Sequence, residues 1–272
     1  MKKLCKLLLI LFFPLGLLYL LLLRCTKRTW PDGLKDYRFA HRGLHHQPDA
    51  PENSLAAFQA AADSGYGAEL DVHLMKDGHL AVIHDNSLLR TAGVDIRIED
   101  LTRDALKDYY LEGTQEHIPL LEEVLSIFEN RSPLVVELKV VNNNHKALCA
   151  AVCALLDQYA VNYCIESFDP KVLYWLKKHR PEIIRGQLSG DLRKEEGQPP
   201  IVMWALTHLL SSGLTKPDFI AYDHKFRQHC PELKICKKLY GVQEVSWTVR
   251  DAETARKLEE QGSLIIFEGF MP

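Results

Sequence analysis

From residue 38 to the end of the chain, short apolar runs alternate with longer stretches whose apolar residues recur at helical spacing. The runs lie at 38–42, 68–74, 80–84, 134–139, 163–168, 183–188, 218–222, 244–249 and 264–268, and helical patterns at 53–64, 119–130, 145–160, 170–179 and 251–261 separate most of them. Such alternation predicts a parallel sheet covered by helices. Nine runs are one too many for a closed eight-stranded barrel, and one connection resolves the excess. Only Met75 to His79 separate the second run from the third. A parallel crossover needs about a dozen residues, so these two runs predict an antiparallel hairpin around Asp77-Gly78. The expected fold is therefore α/β, a (β/α)8 TIM barrel with one inserted hairpin. Residues 88–117 break the rhythm and read as a small insertion lobe.

A different pattern precedes the barrel. Leu7 to Leu23 is a run of 17 residues, apolar if Pro14, Gly16 and Tyr19 are tolerated. As a helix it would be about 25 Å long, near the short end for crossing a bilayer. A cleaved signal peptide would place small residues after the run, where this chain has Leu23, Arg24 and Cys25. The run therefore predicts a single transmembrane helix, with residues 1–29 as membrane anchor and 30–272 as catalytic barrel. Lys2, Lys3 and Lys6 before it nearly balance Arg24, Lys27 and Arg28 after it, so the positive-inside rule assigns no side.

Composition narrows the choice of partner. With 47% hydrophobic residues among 272, the chain can bury a full core. A net charge of -3 offers no field to attract nucleic acid, which is not expected as a partner. The seven cysteines lack zinc-site spacing and read as free thiols, with Cys149 and Cys153 in an apolar role. Nothing in the composition assigns an oligomeric state.

The chemistry concentrates between Ala40 and Asp85. Glu69 and Asp71 project from the same face of one strand, and Glu137 and Lys139 share the same two-residue spacing on another. Ionised carboxylates are costly to bury, so the cluster calls for a cation or a set of donors. Three carboxylates suit a hard divalent ion, Mg2+ or Ca2+. Arg42 and Lys139 suit a phosphate, and His41 and His84 suit general acid-base work. In a barrel of this kind such residues gather at the carboxyl ends of the strands. His45, among other histidines, reads as incidental.

In order and spacing, several motifs resemble the signature of the glycerophosphodiester phosphodiesterase family. They are His41-Arg42-Gly43, Pro51-Glu52-Asn53-Ser54, Glu69-Leu70-Asp71-Val72, Lys76-Asp77-Gly78, His84-Asp85, Glu137-Leu138-Lys139, Ser167-Phe168-Asp169 and Trp247-Thr248-Val249. The resemblance implies a (β/α)8 barrel that hydrolyses glycerophosphodiesters to glycerol phosphate and an alcohol. It also implies metal ligands at Glu69, Asp71 and Glu137, acid and base at His41 and His84, and phosphate contacts from Arg42 and Lys139. Glu52 is grouped with this site, and Trp247 is expected at the pocket mouth or in the barrel core. Two departures stand out. Phe267-Glu268 replaces the family's usual Thr-Asp, and Arg250 stands where an asparagine is common; both are expected to bear on substrate shape. Alternative readings are a lysophospholipase D-type enzyme acting on lysophospholipids, which a membrane anchor would favour, and a noncatalytic metal-dependent binding or scaffold protein.

Overall fold

The computed structural model describes residues 14–194 and 199–272. Its strands are β1 (Phe39–Ala40), β2 (Gly67–Leu74), β3 (Leu80–Val82), β4 (Leu134–Leu138), β5 (Tyr163–Ser167), β6 (Arg185–Ser189), β7 (Phe219–Asp223), β8 (Gln243–Val249) and β9 (Ser263–Phe267). The sheet runs β1-β9-β8-β7-β6-β5-β4-β2, and β1 pairs with β2 to close it. All eight of those pairings are parallel, whereas β3 lies antiparallel on the far end of β2, with Val72 opposite Val82 and Leu74 opposite Leu80. The expected barrel and its extra hairpin are both present.

Side-chain alternation sorts the core into two shells. Outward residues such as Leu70, Val72, Val136, Leu138 and Ile165 pack against helices, among them Leu55–Asp63, Leu121–Phe128 and His145–Leu156. Inward residues Phe39, Val135, Cys164, Phe219 and Val245 fill the amino-terminal end of the barrel, where Trp30 lies 4.8 Å from the Phe219 ring. Phe219 fits because β6 carries glycine opposite it: a Cβ on Gly186 would stand 2.1 Å from that ring. Glu69 lies in register with Val135, and the inward positions one step further along β2, β4 and β5 are Asp71, Glu137 and Glu166. Hydrophobic closure at one end thus leaves charge at the other.

The insertion has a core of its own. Leu88, Ile98, Leu101, Leu106 and Leu111 pack with Met75, Ala81 and Ile83 of the β2–β3 arm. Short helical turns at Leu89–Ala92, Ile98–Asp100 and Arg103–Asp108 carry them, without a sustained period.

The amino-terminal expectation requires correction. Among the described residues no helix is long and apolar enough to cross a membrane. Residues 1–13 of the anticipated anchor lie outside the described residues. A helix spans 14–22, after which Leu23 and Cys25 are buried against the barrel with Leu209, Ile220, Tyr222 and Cys236. Tyr19 donates to Glu232 at 2.5 Å, and Tyr240 donates to the Leu20 carbonyl at 2.7 Å. The end of the run thus meets the barrel through Tyr19 and Leu23, while Leu15, Leu17, Leu18, Leu21 and Leu22 stay exposed. The single-pass membrane location is therefore withdrawn. The described cysteines are free and buried, as their spacing implied.

Candidate active site

The site starts at the bend after β1. His41 N–H donates to the Phe267 carbonyl at 2.9 Å, extending the β1–β9 ladder by one bond. Arg42 then turns into left-handed backbone, φ 55°, uncommon for a residue with a side chain. The turn aims the Arg42 N–H at Glu69 Oε2, 3.1 Å away. Gly43 follows because the chain passes so close to the helix Leu55–Asp63 that a Cβ would meet the Ala57 backbone at 2.8 Å. Asn53, also left-handed at φ 54°, donates its N–H to the Arg42 carbonyl at 2.9 Å and its side-chain amide to Asp71 Oδ2 at 2.9 Å. Ser54 caps the helix, accepting from the Ala57 N–H at 3.1 Å.

Glu69, Asp71 and Glu137 point inward, and their ligand oxygens lie within 4.8 Å of one another, all buried. Burial and the neighbouring carboxylates push Glu69 well above the ordinary glutamate range. Burial also raises Glu137, to about 7. Asp71 goes the other way: burial opposes its ionisation, but Lys139, His84 and Arg42 hold it well below the ordinary value. Lys139 Nζ lies 2.9 Å from Asp71 Oδ1 and 2.8 Å from Glu137 Oε2, so its charge rests on the carboxylates. The donor set fits a divalent cation. Three buried carboxylates share one small volume with two monovalent cations, Lys139 and Arg42, beside them, and the neighbouring Asn53 Oδ1 is buried without a hydrogen bond.

Two histidines flank this trio, each backed by a carboxylate. His41 Nδ1 lies 2.7 Å from Glu268 Oε2, and its Nε2 is 4.0 Å from Glu69. His84, carried on the hairpin arm just past β3, has Nδ1 2.6 Å from Asp85 Oδ1. Burial lowers both imidazoles below the ordinary histidine value. In each pair the ionised carboxylate can only accept, so Nδ1 carries the proton and Nε2 is left to exchange one.

A cavity of about 290 Å3 opens beside the cluster, lined by His84, Glu137, Lys139, Ser167 and Phe168. Trp247 stands nearby on β8, edge-on to Phe168 at 5.9 Å, with its indole N–H unpartnered. A larger hollow of about 440 Å3 elsewhere, around Arg227, Lys234 and Glu244, has no histidine in its lining.

Glu52 accepts from Arg42 at 2.8 Å and from Arg90 at 2.6 and 3.0 Å. Although burial raises it, the two guanidiniums hold its carboxyl below the usual range. All nine expected site residues therefore fall at the carboxyl-terminal mouth of the barrel or just inside it.

Several partners were not legible. Arg90 sits in the insertion, outside any motif, and also donates to Asp85 at 2.5 Å. Glu166 is a fourth buried carboxylate, whose only signal is its place in register with Glu137. Glu268 and Arg250 were visible only as departures, and the structure joins them to His41 at the site. His45, read as incidental, comes within 4.8 Å of His41 and Glu268. His73, by contrast, is buried as a brace between Glu99 and the His84 carbonyl.

Known proteins bear on this geometry. A family model described as the glycerophosphoryl diester phosphodiesterase family matches residues 41–267. A glycerophosphodiester phosphodiesterase from Bacillus altitudinis is 42% identical over 115 residues, covering 40% of this chain and 46% of that protein. A lysophospholipase D from Rattus norvegicus is 36% identical over 141 residues, covering 46% of this chain and 44% of that protein. The chain thus spans about half the length of these curated relatives. A phosphodiesterase from Oleispira antarctica, solved in complex with the product sn-glycerol-3-phosphate, superposes with a TM-score of 0.68 at 27% identity, covering 85% of this chain and 92% of that one. The family match runs from His41, the first residue of the site, to the end of the last strand, and the chain belongs to the glycerophosphoryl diester phosphodiesterase family.

Proposed function

We propose that this chain is a divalent-metal-dependent phosphodiesterase that hydrolyses glycerophosphodiesters to glycerol phosphate and an alcohol. The observation that carries the reading is a buried carboxylate trio with a carboxylate-backed histidine on either side. Residues 30–272 supply the catalytic barrel, with 88–117 as an insertion.

Glu69, Asp71 and Glu137 would hold the ion, Mg2+ or Ca2+, which when bound lowers the pKa of a substrate hydroxyl and offsets charge on phosphorus. One histidine takes the proton of the glycerol 2-hydroxyl at Nε2 as its oxygen attacks phosphorus. The other gives a proton to the departing alcohol oxygen as the phosphorus–oxygen bond breaks. The resulting cyclic phosphate is opened by water, with the histidines exchanging roles. Arg42, held between Glu52 and Asp71, presents a guanidinium to the phosphoryl oxygens, and Lys139, beside Asp71 and Glu137, adds positive charge to the same site. Trp247 forms an apolar wall with an indole N–H free to donate.

The full chain with Mg2+ or Ca2+ is expected to release glycerol phosphate from glycerophosphocholine, and chelation to stop it. Absence of turnover on any diester with metal supplied would overturn the reading in favour of a noncatalytic binding protein. The rat lysophospholipase D match motivates a second reading, hydrolysis of lysophospholipids by the same residues. Turnover of lysophosphatidylcholine without turnover of glycerophosphocholine would select it.

A further inference from the structure

We propose that Arg250 and Glu268 form one positioning unit for His41, with Glu268 fixing the imidazole so that Nε2 faces the carboxylate trio and Arg250 fixing Glu268. The inference rests on the function proposed above and assigns a task to two of the three residues that depart from the family pattern.

The backbone brings them together. Glu268 follows β9 directly, and its N–H donates to the Val249 carbonyl at the end of β8, at 2.9 Å. Arg250 is the next residue after Val249. On the other side of β9, Phe267 accepts from the His41 N–H. Glu268 therefore sits where the ends of β8, β9 and β1 meet, between a cation and an imidazole.

Its two oxygens divide the work. Oε2 accepts from His41 Nδ1 at 2.7 Å and from Arg250 at 3.1 Å; Oε1 accepts from Arg250 at 3.1 and 3.3 Å. A glutamate has one more rotatable bond than aspartate and would wander at a rim, and the Arg250 fork removes that freedom. With Nδ1 committed to Glu268, the lone pair is on Nε2, 4.0 Å from Glu69.

Magnitude separates this role from a structural one. The Arg250 side chain is 54% exposed, and an ion pair so open to solvent adds little to stability. Its consequence should instead be found in how well the base or acid is aimed. The competing role is direct recognition of substrate by Arg250, which would act on binding.

The test uses the full chain loaded with Mg2+, glycerophosphocholine as substrate, and the Glu268→Gln, Arg250→Gln and double variants. Glu268→Gln is expected to lower kcat about 10- to 100-fold with KM changed less than about twofold. Arg250→Gln should lower kcat about 3- to 10-fold alone but less than about twofold when Glu268→Gln is already present. A second measurement needs no turnover: in metal-loaded, substrate-free protein labelled with 15N-histidine, the Nδ1–H resonance that disappears in His41→Gln should move in Glu268→Gln. Multiplying losses, a KM increase at unchanged kcat, or an unmoved resonance would each overturn the proposal. If the wild-type chain turns over no glycerophosphodiester, the proposed function fails, and the resonance still decides whether Glu268 fixes His41.

Discussion

At Asp71 four side chains meet. One oxygen accepts from Asn53 at 2.9 Å and faces Arg42 Nε at 3.5 Å, and the other faces Lys139 at 2.9 Å. Asp71 is thereby fixed and ionised, whereas Glu69 beside it is raised by burial and by its neighbours. A cation would bring Glu69 into the ionised state as well. Glu69→Ala is therefore expected to weaken metal binding about tenfold or more, measured by titration calorimetry. His41→Ala and His84→Ala should each lose about 100- to 10,000-fold in turnover while binding metal as the wild type does. Intact turnover in either histidine variant would remove the acid-base assignment. At this scale the sequence was informative wherever like chemistry recurs at short spacing, as in Glu69 and Asp71 or Glu137 and Lys139. It was silent where a partner comes from far away. Glu268 reaches His41 across 227 positions, and Arg90 reaches Glu52 across 38.

Among the elements, the β2–β3 arm does the most to build the site, because it presents His84 from outside the parallel strands. The arm was legible from a connection too short for a crossover. The insertion packed on it was less so, since its core residues ride on short turns without period. Yet the insertion reaches into the site through Arg90, which ties Glu52 to Asp85. Arg90→Ala should leave Arg42 as the only cation on Glu52 among the described contacts and let both carboxylates relax. A fall in kcat/KM of about 3- to 10-fold with unchanged metal affinity is expected. An unchanged kcat/KM would make the lobe a passive attachment. The strand ends, displaced by one or two residues from the apolar runs, are the usual imprecision of hydrophobic pattern against hydrogen-bonded ladder.

For the whole molecule, residues 19–25 pack as a structural part of the barrel. Leu23 is fully buried, whereas Leu17 is 50% exposed. Leu23→Ala is expected to cost about 2–4 kcal/mol in unfolding free energy, and Leu17→Ala less than about 0.5 kcal/mol. Denaturant titration compares them. Equal effects would mean that the docking of this segment contributes nothing. The sequence shows the apolar run but not its partners on the barrel, the contacts of Tyr19, Leu23 and Tyr240, which only the fold brings together.

Phe219, seated over Gly186 and against Trp30, has a consequence for traffic. It helps to fill the amino-terminal end of the barrel, which leaves the carboxyl-terminal mouth as the approach to the carboxylates. On the two-step reaction proposed above, a diester that enters and both fragments that leave would share one doorway. The alcohol released first would have to clear that doorway, or be displaced within it, before water could approach the phosphorus left behind. A bulky alcohol that lingers there would slow the second step without touching any residue of the first.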